Sequence, residues 1–262
     1  MIDDVLEVLR RTADAVIVPR FRALQADQIE EKSPGEVVTL VDREAEAMIA
    51  EALKRIRPDA IVVGEEATHA DPSLADVLLT DRPAWLLDPL DGTANFVEGS
   101  DDFAVMVAFV EGLRTTHAWI WRPAVSESWT ARLGDGARRN GERIEVSKVA
   151  RQQLRGAVLT RFLDVGDREH VEAHAAELGE VLPGLKCAGV EYPEIVTGKQ
   201  DFAVFKRTLP WDHASGAFIL REAGGIARRW DGTDYEPTVE GVGLMATADD
   251  ASWQRVTSVI LT

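Results

Sequence analysis

The chain has 262 residues, 45% of them apolar and 28% charged, and 29 lysines and arginines against 45 aspartates and glutamates give a formal charge of −16. That composition excludes a disordered or fibrous chain and suits one large hydrophobic core or two joined ones. The acidic excess argues against broad contact with nucleic acid or an anionic membrane, which reward basic patches, but not against small phosphorylated ligands, because cations reverse a pocket's sign.

The chain opens on Ile2, Val5, Leu6, Leu9, Ala13, Val16 and Ile17, whose three- and four-residue spacing predicts a helix from residue 2 to about 26, kinked or ended by Pro19. A polar turn, EEKSPGE, follows. A second helix is expected from about Asp42 to Ile56, with Thr39 and Asp42 as a capping-box variant, Ala45, Ile49, Leu53 and Ile56 as its buried stripe, and Pro58 closing it. Two short apolar runs, Ile61 to Val63 and Trp85 to Leu87, read as strands that deliver carboxylates at their ends. Residues 67 to 82 between them read as a polar excursion suited to a mobile flap.

A meander is expected from Phe103 to Ser147, with strands near 103–110, 114–121, 126–133 and 143–147, the last preceded by an Asn140-Gly141 turn. Strands at 157–160 and 202–205, helices at 169–178 and 211–223, short strands at 226–230 and 243–246, and a final helix from 250 to 260 complete the pattern. A break near 148–155 divides an N-terminal portion, 1–150, from a C-terminal α/β portion, 151–262, within one compact unit. Residues 1–11 show no basic leader, no run spans a bilayer, and the lone Cys187 cannot form an internal disulfide, so a cytoplasmic location is expected.

The most informative stretch is WLLDPLDGTANF at 85–96. A strand ends in Asp88, Pro89 stiffens the exit, and Asp91 returns a second carboxylate; with the Leu90 carbonyl these are oxygen donors of the kind magnesium favours. Gly92 permits close backbone approach, and Thr93 offers a hydroxyl beside the first amides of a following helix, a setting that favours phosphate. The same pattern would also serve a capped turn followed by a capped helix. Glu65 and Glu66 follow Gly64 at a strand end, and Asp42 and Asp212 stand at helix starts, where acids are ordinary partners of the helix dipole.

Five blocks in order, KSPGEVVTLVD at 32–42, VGEE at 63–66, WLLDPLDGTANFVEG at 85–99, NGERIEVS at 140–147 and PWDHASGAFILREAGG at 210–225, resemble the inositol monophosphatase superfamily of magnesium-dependent, lithium-sensitive phosphatases. The resemblance implies a layered α/β/α/β/α sandwich, a homodimer, two or three Mg2+ per site, and hydrolysis of a small phosphorylated metabolite by metal-activated water. It places Glu65, Asp88 and the Leu90 carbonyl at one metal and Asp88, Asp91 and Asp212 at a second, with Glu65 reaching a third through water. Thr93, Asp42 and Glu65 match the residues that activate the attacking water, and Trp211 is expected to pack beneath the site. Asp91, Gly92, Thr93, Asp212, Phe205, Arg207 and Lys32 are the expected substrate contacts.

Phe205 falls where inositol-selective members of that superfamily often carry an acid, whereas Lys206 and Arg207 offer positive charge suited to a second phosphate or a carboxylate. Sugar bisphosphates and phosphoadenosine compounds therefore stand beside inositol phosphates as candidate substrates. Histidinol phosphate joins them if Glu191 or Glu194 faces its amine. Arg161 is expected at the surface and His213 in packing. The pair His170 and His174 lacks the HExxH pattern and a third ligand, so a zinc site is not expected. Trp119, Trp121 and Trp129 lack a basic stripe and read as core or interface, and no Walker A or GxGxxG sequence occurs. An interaction protein retaining the phosphatase fold is the alternative of another class.

Overall fold

The computed structural model describes residues 1–33, 36–147 and 153–261. Two sheets alternate with three helical layers, which is the expected α/β/α/β/α order. The first sheet has seven strands: β3 (Ile61–Gly64), β4 (Ala84–Asp91), β5 (Ala104–Glu111), β6 (Arg114–Arg122), β7 (Glu127–Arg132), β8 (Gly136–Arg139) and β9 (Glu142–Ile144), hydrogen-bonded in that order. The second has five, ordered β11 (Gly179–Leu182), β10 (Leu154–Val158), β12 (Phe202–Phe205), β14 (Leu244–Thr247) and β13 (Ile226–Arg228). A separate hairpin pairs β1 (Ile29–Ser33) with β2 (Glu36–Thr39).

Strand alternation explains the layering. On β4 and β5, Trp85, Leu87, Val105, Val107 and Phe109 pack against α1 (Ile2–Thr12) and α2 (Leu40–Ile56), where Leu9, Ile49 and Leu53 are fully buried. The opposite faces meet α6 (Ala188–Val196) and α7 (Pro210–Glu222), through Ala104 and Met106 in one cluster and Leu86 with Trp211 and Ala214 in another. Both faces are buried, so β5 reads as a continuous apolar run. On β12, Ala203 and Phe205 join that same middle layer, while Phe202 and Val204 turn to α5 (Val165–His174) and α8 (Asp250–Ile260). No helix among the described residues is long and apolar enough to cross a membrane.

Several local expectations change. The first helix is α-helical only to Thr12, opens into a π turn over Ala13–Ile17 and tightens to a 3-10 turn at Val18–Arg20. Pro19 supplies no amide to continue the ladder, and the Arg20 guanidinium donates to the Val16 carbonyl at 3.0 Å. Part of the EEKSPGE turn is strand β1, although Pro34 and Gly35 at its tip lie outside the described residues.

The segment expected as a flap is helical, as α3 (Glu65–Ala70) and a 3-10 stretch over Pro72–Leu79, and it is anchored by buried Val77 and Leu78. Asn140 and Gly141, both with positive φ, join β8 to β9, so one more strand precedes the turn than expected and the last strand ends at Ile144. Strand β11 and helix α6 were not foreseen. The expected break at 148–155 lies largely outside the described residues, and β10 begins at Leu154.

Candidate active site

The acidic residues converge because β4 is irregular at its end. Residues three apart on a regular strand face opposite ways. Here Asp88 pairs with Met106 and Asp91 with Ala104, so β4 spends one more residue than β5 over that step. The extra residue restores the phase and turns both carboxylates toward the face that Met106 and Ala104 share with the middle helices. Pro89, with no amide to pair, sits within the irregularity. The Leu90 amide donates to Asp88 Oδ1 at 3.0 Å and fixes the turn.

Gly92 then adopts φ +84°, in the left-handed region, and a Cβ there would lie 2.8 Å from the Asp102 carbonyl. Thr93 opens the short helix α4 (Thr93–Glu98), and its hydroxyl stands 2.9 Å from both Asp42 Oδ1 and the Leu90 carbonyl, with one proton to share between them. Asp42 is buried at the N-terminus of α2, where its Oδ2 accepts from the Thr39 amide at 2.8 Å and the Thr39 hydroxyl at 2.6 Å, completing the expected capping box. Burial pushes its pKa up to about 6 despite those bonds.

Glu65 enters from α3. The Glu46 carboxylate accepts the Glu66 and Ala67 amides at 2.8 Å each, which caps that helix from α2. Lys32 on β1 donates to Glu65 Oε1 at 3.1 Å and to Glu66. Burial disfavours the Lys32 ammonium, but Glu65 and Glu66 outweigh it and raise its pKa. Asp212 arrives on the first turn of α7, directly after Pro210 and Trp211, and the Trp211 ring packs into the core with Leu86 and Ala214.

The four acids act on one another. Burial holds the Asp88 carboxyl well above the ordinary range, and the charges of Glu65, Asp91 and Asp212 push it further. Burial does the same to Asp212, with Glu65 and Asp91 adding to it. Glu65 is raised by burial against the pull of Lys32. Asp91 is raised to about 6 by burial, against hydrogen bonds from Gly189 and Cys187. A set of oxygen donors with this much unbalanced negative charge fits a hard divalent cation. Among the described residues, no three such side chains already form a closed ligating group. Lys32, Gly189 and Cys187 hold Glu65 and Asp91 in the meantime.

A wall that was not foreseen closes one side of the acids. The Gly189 amide donates to Asp91 Oδ2 at 2.6 Å, and the Cys187 thiol to the same oxygen at 3.2 Å. A Cβ on Gly189 would sit 2.5 Å from the Ala104 Cβ, so only glycine lets the α6 backbone come this close. The Asn95 side-chain amide bridges the Asp102 and Leu185 carbonyls, at 2.7 Å each. Glu191 is buried, accepting the Leu185 amide at 2.6 Å and the Gln200 side-chain amide at 2.7 Å. It therefore braces the wall rather than facing a substrate amine. Glu194 is likewise engaged with Lys199 and Gln200. The small residues Ala188 and Gly189 were the available sequence signal for this close approach.

The structure thus brings together Asp42, Glu65, Asp88, Leu90, Asp91, Gly92, Thr93 and Asp212, with Lys32 on Glu65. Phe205, expected as a substrate contact, is instead a core ring, 4% exposed and packed on Tyr192 and His213 with ring centroids 5.6 and 4.7 Å away. Lys206, next along the strand, points to the other face of the sheet. There it pairs with Asp167 at 2.9 Å and helps line a hollow of about 410 Å³ with Val158, Val204 and Trp230. Arg207 stays near the acids, lowering the Asp212 pKa, but it is ion-paired with Glu36 and stacked 3.9 Å over the Phe162 ring. Arg161 lies 4.9 Å over that same Phe162 ring. His213 is buried in packing as expected, with Nδ1 3.0 Å from the Tyr192 hydroxyl.

A protein-family model described as the inositol monophosphatase family matches residues 2–259. A Thermotoga maritima protein named fructose-1,6-bisphosphatase/inositol-1-monophosphatase is 30% identical over 89% of this chain and 86% of its own. A Vibrio cholerae protein named Nus factor SuhB is 32% identical over 79% of this chain and 78% of its own. The solved structure of a Thermotoga maritima IMPase superimposes with a TM-score of 0.83 at 27% identity, covering 99% of this chain and 96% of the other.

Proposed function

Because this chain belongs to the inositol monophosphatase family and is by that membership a phosphoric monoester hydrolase, we propose that it cleaves a small-metabolite phosphomonoester with magnesium at the acidic floor. The observation that carries this reading is the convergence of four carboxylates, buried Asp88 with half-buried Glu65, Asp91 and Asp212, in which burial first and then the neighbours' charges raise the pKa of Asp88 and Asp212. Glu65, Asp88 and the Leu90 carbonyl would hold one ion and Asp88, Asp91 and Asp212 a second, with a third reached from Glu65 through water. Bound there, magnesium supplies Lewis acidity that acidifies water and neutralises phosphate charge.

The chain's own residues do the rest. Thr93, donating to Asp42 at 2.9 Å, turns its oxygen lone pairs outward and accepts a hydrogen from the attacking water. As that proton arrives at Thr93 Oγ1, the hydroxyl proton passes to Asp42 Oδ1, whose pKa of about 6 suits an acceptor working near neutrality. The amides that follow Gly92 hold phosphate oxygens. Lys32 keeps Glu66 as a partner when Glu65 turns inward, so the β1–β2 hairpin stays tethered to the site.

An inositol phosphate is the default substrate. With Arg207 close to Asp212, esters that carry a second anion are the favoured alternative. The relative named as both a fructose-1,6-bisphosphatase and an inositol-1-monophosphatase supports keeping both classes. The buried, lone Cys187 is consistent with a cytoplasmic enzyme, and a homodimer is expected from the family.

The test is phosphate release by the purified protein over inositol 1-phosphate, histidinol phosphate, a hexose bisphosphate and 3'-phosphoadenosine 5'-phosphate, with and without magnesium, and with T93A as control. A metal-dependent turnover that falls about 10²-fold or more in T93A supports the proposal. Turnover that persists in chelator overturns it. Negligible turnover on every ester with intact magnesium binding would favour the regulatory reading that the SuhB-named relative suggests.

A further inference from the structure

Helices α2 and α7 both carry an acid at the third position but use it differently. In α2 the cap is Thr39, and Asp42 accepts its amide at 2.8 Å, so that acid is partly occupied in holding the helix entry. In α7 the cap is Leu209, whose side chain can accept nothing, and Asp212 makes no capping bond. The backbone bond from the His213 amide to the Leu209 carbonyl is long, at 3.3 Å. Residues 207–209 belong to no helix or strand. The entry that carries Asp212 therefore needs another fastening.

His213 supplies it. Its Nε2 stands 3.1 Å from the Arg207 carbonyl, closing a loop from 207 to 213 that contains Asp212. A carbonyl only accepts, so Nε2 carries the hydrogen and, in the neutral ring, Nδ1 is a bare acceptor. The Tyr192 hydroxyl, on α6, stands 3.0 Å from Nδ1 and donates to it. Both side chains are buried, and the Phe205 and Tyr235 rings pack on the imidazole with centroids 4.7 and 6.4 Å away. The Tyr192 ring fits here because α7 has glycine at 216, where a Cβ would run into it. The Tyr235 hydroxyl, buried in the same box, has no partner among the described residues, so a paired hydroxyl is not a general property of this packing.

We propose that Tyr192 and His213 are positioning residues for Asp212. The Tyr192 hydroxyl keeps the His213 hydrogen on Nε2, and Nε2 clips the entry of α7 to the Arg207 carbonyl. Asp212 is thereby released from capping and serves the acidic floor instead. This rests on the reading of that floor as a cation site. Without the Tyr192 hydroxyl the imidazole could carry its hydrogen on Nδ1, and the Nε2 lone pair would then meet the lone pairs of the Arg207 carbonyl.

The test measures magnesium uptake by the full chain without substrate, by calorimetry, for wild type, Y192F, Y235F, H213L and H213Q. Beside it, kcat and KM are read on the ester of the panel above that the wild type cleaves fastest. Y192F and H213L should weaken magnesium about 10-fold, as the loss of one buried hydrogen bond predicts. At saturating magnesium their KM should stay within about twofold of wild type. H213Q, whose side-chain amide can still donate to the Arg207 carbonyl, should return to within about threefold of wild type. Y235F loses a hydroxyl from the same box and should bind magnesium as the wild type does. Imidazole nitrogen NMR should find the His213 hydrogen on Nε2 in the wild type, and a hydrogen on Nδ1 overturns the proposal. So does a Y192F with wild-type magnesium affinity, a Y235F with the same loss as Y192F, or an H213Q as weak as H213L. If H213L does not fold, Y192F and H213Q against wild type decide. A wild-type chain that takes up no magnesium overturns the cation-site reading beneath, whereas uptake alike in every variant overturns this inference alone.

Discussion

The floor and the wall of the site bury polar groups in opposite ways. On the floor, Asp88 and Asp212 are surrounded by other carboxylates, and their burial is made costlier by the neighbours' charges. In the wall, Glu191 is as deeply buried, but a backbone amide and a side-chain amide occupy its two oxygens and draw its pKa, about 7, back against desolvation. A satisfied buried carboxylate fixes geometry, whereas an unsatisfied cluster stores an affinity for cations. Asp91 joins the two regions, since it is a floor acid held by wall donors.

Removing one floor charge should break the contrast most visibly. D212N is expected to lower kcat by on the order of 10³-fold or more. It should also leave the metal-free melting temperature equal or higher, because a repelling buried charge has gone; a clearly lower one would mean that Asp212 is structural. Magnesium should stabilise the wild type by about 2.7 kcal/mol at a hundredfold excess over its Kd and should stabilise D212N far less, which paired melting curves would read.

The pH dependence follows from the sign of the shifts. Asp42 and Asp91 titrate near 6 when folded, above the ordinary value of 3.8, so the folded protein binds protons more tightly than the unfolded chain. Metal-free stability is therefore greatest at and below pH 4 and falls as pH rises through 6 and on toward 7, where the buried Glu191 also loses its proton. In saturating magnesium the slope should flatten or reverse, because protons then compete with the ion; melting temperatures from pH 4 to 8 in chelator and in magnesium would decide it.

Smaller effects are expected from the wall. G189A should cost about 1–3 kcal/mol, since its Cβ would meet Ala104 at 2.5 Å and Asp91 Oδ2 at 3.3 Å. It should also slow turnover by displacing Asp91. C187A removes only a weak donor from Asp91 and should change stability by about 1 kcal/mol or less. A large loss of kcat in C187A with an unchanged melting temperature would show the thiol to be more than a spacer.

The floor was legible in the sequence and the wall was not, for physical reasons. Asp88, Asp91, Gly92 and Thr93 lie within six residues, after an apolar strand, so one local pattern places them all. Asp42 announces itself through its capping relation to Thr39. Helix α6 offers no such signal: it is buried nearly throughout, so no polar face marks its period, and Pro193 stands inside it. Lys206 and Arg207 were read together because they are adjacent, yet strand alternation sends Lys206 with Val204 toward the far hollow and Phe205 with Ala203 into the middle layer. The segment at 67–82 was read by its polar residues, while Val77 and Leu78 decided its packing.

Asp212 carries a further consequence. It stands on α7, in the middle layer, whereas Glu65, Asp88 and Asp91 stand on or beside the first sheet, far earlier in the chain. During synthesis the first sheet can emerge and pair while the helix bearing the fourth acid has yet to be made. Its carboxylates then lack one repelling neighbour and the wall that grips Asp91. A cation met at that stage finds an incomplete set of donors, so the full donor set exists only once the nearly complete chain has been made.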